Sequence, residues 1–373
     1  MINPKLFINT LKKNDINFYT GVPDSLMMGF CSTIEKYKNH TISTSEGSAV
    51  GLGIGYYLAK KKIPLIYLQN SGLGNIVNPV LSLVNKKVYK IPIFFLIGWR
   101  GETHKKKTKK SKKDEPQHIS QGEVTEKLLK VLNIKYKIID QKSNYKKLIL
   151  ELKKYAVKKS EPVALLVRKN TFEKSNSINS NKNNKLLKRQ EILNIIMKNI
   201  TRKIHSVSTT GVLSRELMEL AETKNKINNF YCVGGMGHAI SIASGIASVK
   251  KNKKILCLDG DGAALMHLGA QAISGSKDNI IHIIINNNSH DSVGGQKTAS
   301  ENVKFSKISQ YIGYKNFFYC LNEQQIKKSI KKSINSKGSC LIEIKSSLGY
   351  KKNLMRPKES MIYLRDKFIK NLK

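Results

Sequence analysis

The sequence predicts an α/β protein with two domains, each built around a parallel β-sheet. Short apolar, strand-like segments alternate with helical segments along all 373 residues, a pattern typical of parallel sheets covered by helices. A chain of this length suits two domains of moderate size. Residues 170–184 are rich in Ser, Asn and Lys and almost free of apolar side chains, which indicates a linker. We therefore expect domains at residues 1–172 and 187–373, joined by a linker at residues 173–186.

Strands and helices are assigned where apolar runs and helical spacing alternate with turn residues. In the first half the expected strands are residues 18–21, 41–44, 64–69, 92–97 and 163–167. Helices are expected there at residues 24–37 and 46–59. In the second half a helix is expected from residue 185, with strands near Ile204, Tyr231, Ile255, Ile281 and Leu341. The shared alternation indicates two sheets of similar construction.

The net charge of +40, from 66 basic and 26 acidic residues, would ordinarily indicate nucleic-acid binding. Nearly all of the positive charge is lysine, with only seven arginines, and it is spread along nearly every helical segment. No motif of a nucleic-acid-binding fold accompanies it. We therefore expect no nucleic-acid partner and keep a basic nucleic-acid-binding protein as a distant alternative. The charge can still help to attract a polyanionic substrate.

The apolar runs and the cysteines favour a cytoplasmic protein with no membrane partner. Runs such as residues 91–99 are well short of a membrane span. The N-terminal residues open into an amphipathic segment and not into a signal peptide. The five cysteines have no Cys-x-x-Cys spacing, so buried thiols are expected in preference to disulfides or zinc ligands.

Two strand ends in the second half carry the residues expected of a diphosphate and metal site. Gly260-Asp261-Gly262 follows the apolar strand at 255–258, and Asn287 follows the next strand after 24 intervening residues. Glycines let a phosphate approach the backbone closely, and a helix expected at 263–274 would point its first amides at an anion. One carboxylate and one amide oxygen suit Mg²⁺. The alternative is a pair of ordinary turns, since Gly, Asp and Asn are common turn residues.

Gly-Asp-Gly followed by Asn-Asn at this spacing resembles the cofactor signature of thiamine-diphosphate enzymes. The resemblance implies thiamine diphosphate and Mg²⁺ as cofactors. It implies Asp261, Asn287 and the backbone carbonyl of Ser289 as metal ligands. The cofactor contacts that it implies in this segment are Gly260, Asp261, Gly262, Ala263, Asn287 and Ser289.

Such a cofactor needs a carboxylate against N1′ of its aminopyrimidine, because that hydrogen bond favours the imino tautomer that removes the C2 proton. Glu46 stands at a strand-to-helix junction before a Gly- and Ala-lined helix, and the segment resembles the family's glutamate motif. The alternative is a helix-capping role. The family's supporting apolar residue and the carbonyl that receives the 4′-amino group correspond to Met236 and Gly234, where the alternative is a core methionine in a Gly-rich turn.

The resemblance assigns a pyrimidine-binding domain to residues 1–172 and a diphosphate-binding domain to residues 187–373. Family members bind the cofactor between two subunits, which implies a homodimer or a higher homo-oligomer. Only the short linker separates the halves, so the middle domain of many members is expected to be absent. Further segments resemble the family's phosphonopyruvate-decarboxylating branch, which serves phosphonate biosynthesis: 21–26, 67–75, 97–102, 114–118 and 286–296.

This branch implies a small anionic 2-oxoacid, phosphonopyruvate, as substrate. Sulfopyruvate decarboxylases commonly divide the two halves between subunits, so we expect the fused chain to favour the phosphonate enzyme. Sulfopyruvate decarboxylation, another 2-oxoacid decarboxylation and carboligation remain alternatives, because pocket shape selects the substrate.

A dianionic phosphonate needs cationic or amide donors, and Arg100, Asn70 and Lys297 are the candidates for substrate binding. Asp24 and His118 are candidate catalytic proton donors, with His290 as a further one. The loop at residues 103–113 departs from the family by its lysine-rich run at 105–113. We interpret this run as a solvated loop or as a lid over anionic groups.

Overall fold

The computed structural model describes residues 1–102, 115–174, 185–201, 203–224, 227–351, 353–354 and 359–372. The lysine-rich run at 105–113 and residues 175–184 of the expected linker lie outside them. The chain divides into two compact units. Unit 1 is Met1–Ile178 with Val293–Gln296, and unit 2 is Asn179–Ser292 with Lys297–Lys373.

Unit 1 alternates short strands with helices. Its strands are β1 (Tyr19–Gly21), β2 (His40–Ile42), β3 (Leu65–Gln69), β4 (Phe94–Gly98), β5 (Lys135–Ile139) and β6 (Val163–Val167). Its helices are α1 (Pro4–Lys13), α2 (Met28–Ile34), α3 (Glu46–Lys60), α4 (Leu73–Pro79), α5 (Pro116–Val131) and α6 (Tyr145–Lys159). Short helical turns lie at Ser25–Met27, Asn70–Gly72 and Val80–Val84.

In the described part of unit 1 these strands form a six-stranded sheet in the order β2-β1-β3-β4-β6-β5, with parallel pairings. The central strands β4 and β6 are buried at every residue and apolar throughout, as strands covered on both faces must be. One apolar cluster packs α1, α2 and α6 against one face, and a second packs α3, α4 and α5 against the other.

Unit 2 repeats this construction. Its strands are β7 (His205–Ser208), β8 (Asn228–Tyr231), β9 (Ile255–Gly260), β10 (Ile280–Asn286), β11 (Ser289–His290), β12 (Gln296–Lys297), β13 (Asn316–Cys320) and β14 (Cys340–Lys345). Its helices are α7 (Arg189–Asn199), α8 (Val212–Lys224), α9 (Ala239–Val249), α10 (Asp261–Met266), α11 (Ala270–Gly275), α12 (Phe305–Tyr311), α13 (Glu323–Asn335) and α14 (Met361–Leu372). Short helical turns lie at Asp291–Val293 and Ala299–Asn302. The last residue of the first turn, Val293, and the first residue of β12, Gln296, belong to the segment assigned to unit 1.

Among the described residues of unit 2 a six-stranded sheet runs in the order β13-β14-β10-β9-β7-β8, again with parallel pairings. Strands β9 and β10 lie side by side at its centre, with Gly260 opposite Ile285. Their carboxyl ends therefore meet at one edge, where ligands of open parallel sheets bind. This adjacency positions the Gly-Asp-Gly and Asn-Asn segments. The two sheets confirm the predicted α/β fold class.

The structure corrects one expected element and adds two strands. Residues 263–274 do not form one helix, because α10 and α11 are separate short helices with a break after Met266. The sequence reasoning also missed β5 and β13, which are edge strands with partly exposed side chains and so lack a continuous apolar run.

No helix among the described residues is both long enough and apolar enough to cross a membrane.

Candidate active site

Glu46 is the first residue of α3 and is buried, with 6% of its surface exposed. The preceding Ser45 has extended backbone and caps the helix, because its hydroxyl accepts a hydrogen bond from the Ser48 amide at 3.3 Å. Glu46 is therefore not the capping side chain. Its Oε2 accepts a hydrogen bond from Asn75 Nδ2 at 2.8 Å, whereas Oε1 accepts none from any residue that the structure describes. One carboxylate oxygen is fixed and the other is available to a ligand.

Gly72 leaves the space in which the Glu46 side chain lies. A Cβ atom at position 72 would be 2.5 Å from Glu46 Oε1 and 2.6 Å from its Cγ. Gly74, two residues further on, has nothing within 4 Å of the equivalent position. The close approach of Glu46 thus depends on the missing side chain of Gly72.

Asp24 is a fully buried carboxyl in unit 1. Its Oδ1 accepts a hydrogen bond from Gln69 Nε2 at 2.6 Å, and its Oδ2 has no hydrogen-bond partner among the described residues. A Cβ atom at Gly98 would lie 1.7 Å from that Oδ2. Burial raises the pKa of Asp24, and the hydrogen bond from Gln69 and the charge of Arg100 only partly oppose this. The result is a carboxyl that keeps its proton to a higher pH than usual.

Asn70 and Arg100 are joined through their backbones and side chains. Asn70 Nδ2 donates to the Arg100 carbonyl at 2.9 Å and lies 2.9 Å from Thr125 Oγ1, and Asn70 Oδ1 accepts from the Arg100 amide at 3.2 Å. The Asn70 amide therefore holds the Arg100 loop. The Arg100 guanidinium contacts Ser25 Oγ at 3.4 Å. His118 lies in the first turns of α5, and its carbonyl packs on Gly101.

In unit 2, Asp261 is nearly fully buried at the start of α10. Its Oδ2 accepts hydrogen bonds from Thr298 Oγ1 at 2.5 Å and Ser300 Oγ at 2.6 Å. Burial raises the pKa of Asp261, and the two hydroxyl groups and Lys345 act in the opposite direction. The hydroxyl groups fix one oxygen of the carboxylate and leave Oδ1 without a side-chain partner among the residues that are described.

Asn287 is buried after the end of β10, and its side chain is oriented by the segment that follows. Its Nδ2 donates to Asp291 Oδ2 at 2.6 Å, and its Oδ1 accepts from the Ser289 amide at 3.0 Å. Asp291 Oδ2 also lies 3.4 Å from Arg189 Nη1, and Arg189 Nε binds Glu216 at 2.7 Å. These contacts determine that the amide oxygen, and not the nitrogen, can face a cation.

Met236 lies in a turn between Gly235 and Gly237, whose φ angles are +61° and +88°. Both values lie in the left-handed region that favours glycine. A Cβ atom at Gly237 would also lie 2.6 Å from the ring of His267. The turn holds the half-buried Met236 and Gly234 just before α9.

Two other candidates have surroundings that bear on their roles. The Lys297 ammonium is largely exposed and pairs with Glu301 at 3.2 Å. Desolvation lowers the pKa of His290 to about 4, so its imidazole is neutral near pH 7 and is a poor source of a proton. His290 packs beside Gly262, where a Cβ atom would be 2.8 Å from the ring.

The oxygen ligands and hydrogen-bonding groups of these residues fit the thiamine diphosphate and Mg²⁺ that the sequence implies. Asp261 Oδ1, Asn287 Oδ1 and a backbone carbonyl are hard oxygen ligands of the type that Mg²⁺ takes. Thr209 follows β7, the strand beside β9. Its buried hydroxyl has no hydrogen-bond partner among the described residues, so it can donate a hydrogen bond to a diphosphate. Glu46 has a carboxylate oxygen, Oε1, that is not used by the Asn75 hydrogen bond and has the chemistry to accept one from an aminopyrimidine.

Sequence reasoning missed several residues that hold the candidate ones: Gly72, Asn75, Thr209, Asp291, Thr298 and Ser300. Two of them could have been found from the sequence, because Asn75 and Asp291 lie in the family-like segments 67–75 and 286–296. The roles of Thr298 and Ser300 have no local signal, since they act on a side chain 37 and 39 residues away.

Comparisons with known proteins bear on both halves of the chain. The N-terminal TPP binding domain of thiamine pyrophosphate (thiamine diphosphate) enzymes matches residues 4–128, and the C-terminal TPP binding domain matches residues 208–344. The chain is 27% identical to the phosphonopyruvate decarboxylase of Streptomyces viridochromogenes over 355 residues, which cover 88% of this chain and 86% of that protein.

Two sulfopyruvate decarboxylases are also similar to the chain. The alpha subunit from Methanocaldococcus jannaschii is 37% identical over 161 residues, which cover 42% of this chain and 88% of that protein. The sulfopyruvate decarboxylase of Methanosarcina acetivorans is 25% identical over 328 residues, which cover 80% of each chain. The second match removes the argument that a fused chain favours the phosphonate enzyme, because it extends across both halves.

Both halves of the chain therefore match thiamine-diphosphate-binding domains, and relatives that match most of its length are decarboxylases. Its cofactor is thiamine diphosphate with Mg²⁺, and the residues described above have the chemistry to hold both. The chain belongs to the thiamine pyrophosphate enzyme family and is a decarboxylase of that family.

Proposed function

We propose that the protein decarboxylates 3-phosphonopyruvate to phosphonoacetaldehyde and CO2, as a step of phosphonate biosynthesis. The observation that carries the substrate is the similarity to two phosphonopyruvate decarboxylases over 88% and 91% of this chain. The reaction breaks the bond between C1 and C2 of the substrate, releases CO2 and adds one proton to C2. When bound, thiamine diphosphate supplies the electron sink for this bond cleavage.

Glu46 is the proposed catalytic carboxylate. Asn75 holds Oε2 at 2.8 Å, so that Oε1 can accept the hydrogen bond of the aminopyrimidine N1′. The carboxylate is buried, so little water competes for that hydrogen bond. Its position at the first residue of a 15-residue helix, with Ser45 as the cap, keeps it at a fixed place in unit 1.

In unit 2, Asp261 Oδ1, Asn287 Oδ1 and the Ser289 carbonyl are the proposed Mg²⁺ ligands. The hydroxyl groups of Thr298 and Ser300 orient Asp261, and Asp291 orients Asn287. We assign diphosphate contacts to the 260–263 segment and to Thr209, which stands on the neighbouring strand. Gly234 and Met236 are the proposed contacts to the aminopyrimidine.

Asp24 is the proposed proton donor to C2. Its Oδ2 is buried without a hydrogen-bond partner among the described residues, and its raised pKa keeps the proton on it. Gln69 holds the other oxygen at 2.6 Å. Arg100, whose positive charge acts on Asp24, is the proposed ligand of the phosphonate. His118 remains a second candidate donor. Asn70 positions Arg100, and Lys297 is a more distant cation that is paired with Glu301.

Sulfopyruvate is the second candidate substrate. The match to a sulfopyruvate decarboxylase over 80% of each chain favours it directly. A sulfonate carries one negative charge where a phosphonate carries up to two, so the number of cations that face this group distinguishes the substrates.

The deciding experiment compares kcat/KM for phosphonopyruvate, sulfopyruvate and pyruvate with purified protein, thiamine diphosphate and Mg²⁺. We expect phosphonopyruvate to have the highest value, with phosphonoacetaldehyde identified by ³¹P NMR. A higher value for sulfopyruvate or pyruvate would overturn the substrate assignment. Glu46→Gln should abolish turnover and leave cofactor binding by calorimetry largely intact, and an active variant would contradict the mechanism.

The domain assignment and the assembly belong to the same proposal. Residues 1–172 form the pyrimidine-binding domain, residues 187–373 form the diphosphate-binding domain, and the active form is a homodimer or a higher homo-oligomer. Light scattering coupled to size exclusion should give a mass of at least twice 42.0 kDa for active protein. Full activity of a monomer would contradict this assembly.

A further inference from the structure

Three buried side chains of unit 2 that the proposed reaction does not use converge on one face of its sheet. Cys257 and Asp259 lie two residues apart on β9, so they point to the same face. His282 on β10 is directly opposite Cys257 in the parallel register. All three side chains are fully buried, and one ligand atom of each lies within 4.8 Å of the others.

The contacts within this cluster leave polar atoms without partners. His282 Nε2 lies 3.4 Å from Asp259 Oδ2, and Cys257 Sγ lies 3.9 Å from the same oxygen. Asp259 Oδ1 and His282 Nε2 have no hydrogen-bond partner among the described residues. A buried carboxylate oxygen without a hydrogen bond lowers the stability of the fold, because it loses its bonds to water and no protein group replaces them. Asp259 Oδ1 and His282 Nε2 are therefore available to a bound ligand.

His282 is oriented as a metal-binding histidine usually is. Its Nδ1 lies 3.0 Å from the Tyr314 hydroxyl, which fixes the ring and turns Nε2 towards Asp259 and Cys257. Ligand atoms at zinc-bond lengths around a tetrahedral centre are separated by about 3.3–3.8 Å. The separation of 3.4 Å between His282 Nε2 and Asp259 Oδ2 lies within this range. The separation of 3.9 Å between Cys257 Sγ and the same oxygen is just beyond it, so a bound cation would draw the thiol slightly closer.

We propose that Cys257, Asp259 and His282 bind a transition-metal cation of the Zn²⁺ class. A thiolate, an imidazole and a carboxylate select such a cation over Mg²⁺, which prefers oxygen ligands alone. This site is therefore distinct from the Mg²⁺ site of Asp261, and it does not depend on the proposed substrate.

The metal would join two strands just before the loops that carry the reaction. Asp259 precedes Asp261 by two residues on β9, and His282 precedes Asn287 by five on β10. A cation bonded to both strands fixes their relative position at the edge where the loops begin. Because the three side chains are fully buried, the cation must enter as the chain folds.

The test measures zinc in untagged full-length protein that is produced with added zinc and dialysed against a weak chelator. We expect one zinc per chain by plasma mass spectrometry. His282→Gln should lose it. Asp261→Ala, which removes the proposed Mg²⁺ ligand, and Cys320→Ser, which removes a buried thiol of another strand, should keep it. Zinc lost from either control, or zinc kept by His282→Gln, would overturn the proposal.

A second measurement uses the wild-type chain alone, in case His282→Gln fails to fold. Protein produced with added Co²⁺ should show a thiolate-to-cobalt charge-transfer band in the near ultraviolet and the strong visible bands of tetrahedral cobalt. Folded wild-type protein with neither these bands nor bound zinc would show that the cluster is only a hydrogen-bonded group, and the proposal would fail.

Discussion

Replacing Gly72 by alanine should displace the Glu46 carboxylate and lower kcat without unfolding the protein. The added Cβ would lie 2.5 Å from Glu46 Oε1 and 2.6 Å from its Cγ. Gly72 has a φ angle of −80°, which alanine adopts freely, so the substitution brings no backbone strain. The steric contact with Glu46 is therefore the main change in the folded state.

The size of the effect follows from these distances. Non-bonded carbon contacts are comfortable at about 3.5–4.0 Å, so the Glu46 side chain must move by about 1 Å. A displacement of about 1 Å in a catalytic group can lower the rate about 100-fold, which corresponds to about 2.7 kcal/mol in the activation free energy. We expect kcat to fall by about this factor, while the affinity for thiamine diphosphate changes little because the proposed anchors lie in unit 2.

The assay is steady-state decarboxylation with saturating cofactor, together with calorimetry of cofactor binding and a thermal melt. Gly74→Ala is the matched control, because a Cβ atom there meets nothing within 4 Å. It should retain wild-type kcat. Equal activity of the Gly72→Ala and Gly74→Ala variants would refute the reasoning, since it would show that Glu46 needs no fixed position against Gly72.

Three further predictions concern the surroundings of Asp24 and Asp261. Ser300→Ala should weaken Mg²⁺ binding about 10-fold or more in calorimetry, because the hydroxyl orients Asp261; unchanged affinity would count against that role. Burial raises the pKa of Asp24, so wild-type kcat should fall as the pH rises through that pKa and removes the proton. Asp24→Asn should be slow and lack this fall, and a variant with the same pH profile would exclude Asp24 as the acid. Gly98→Ala, whose Cβ would lie 1.7 Å from Asp24 Oδ2, should cost about 1–3 kcal/mol of stability in urea unfolding.

The sign of the Asp24 effect on stability also follows from its raised pKa. The stability contributed by such a carboxyl is fully present below its unfolded pKa and is lost as the pH rises through its folded pKa. Asp24→Asn should therefore flatten the decline of the unfolding free energy over that interval. Urea titrations of both proteins across this range measure it.

The central strands and the cofactor segments could be predicted because their signals are local. Strand β6 was predicted at its observed bounds, since an apolar run such as Val163–Val167 is typical of a buried parallel strand. Asp261 and Asn287 follow such strands, and parallel pairing brings those strand ends together. Strand β13 could not be found this way, because its alternate residues are exposed at the sheet edge.

The supporting residues could not be predicted, because their roles come from tertiary contacts. Nothing in the sequence next to Gly72 shows that Glu46 will pack on it. The break after Met266 also has no signal in the apolar pattern: His267 leaves the helical backbone conformation, and Gln271 Nε2 donates to the Ala264 carbonyl across the break at 3.2 Å. Sequence signals thus indicated candidate reactive groups but not the contacts that orient them.

The contact between Asn287 and Asp291 makes the site sensitive to deamidation of the Asn287 side chain. Asn287 Nδ2 donates to Asp291 Oδ2 at 2.6 Å. Slow hydrolysis of that amide would replace the donor by a carboxylate and set two negative charges against each other. The hydrogen bond that orients the Asn287 side chain would then be lost, and the altered molecules would differ from fresh ones by a single unit of negative charge.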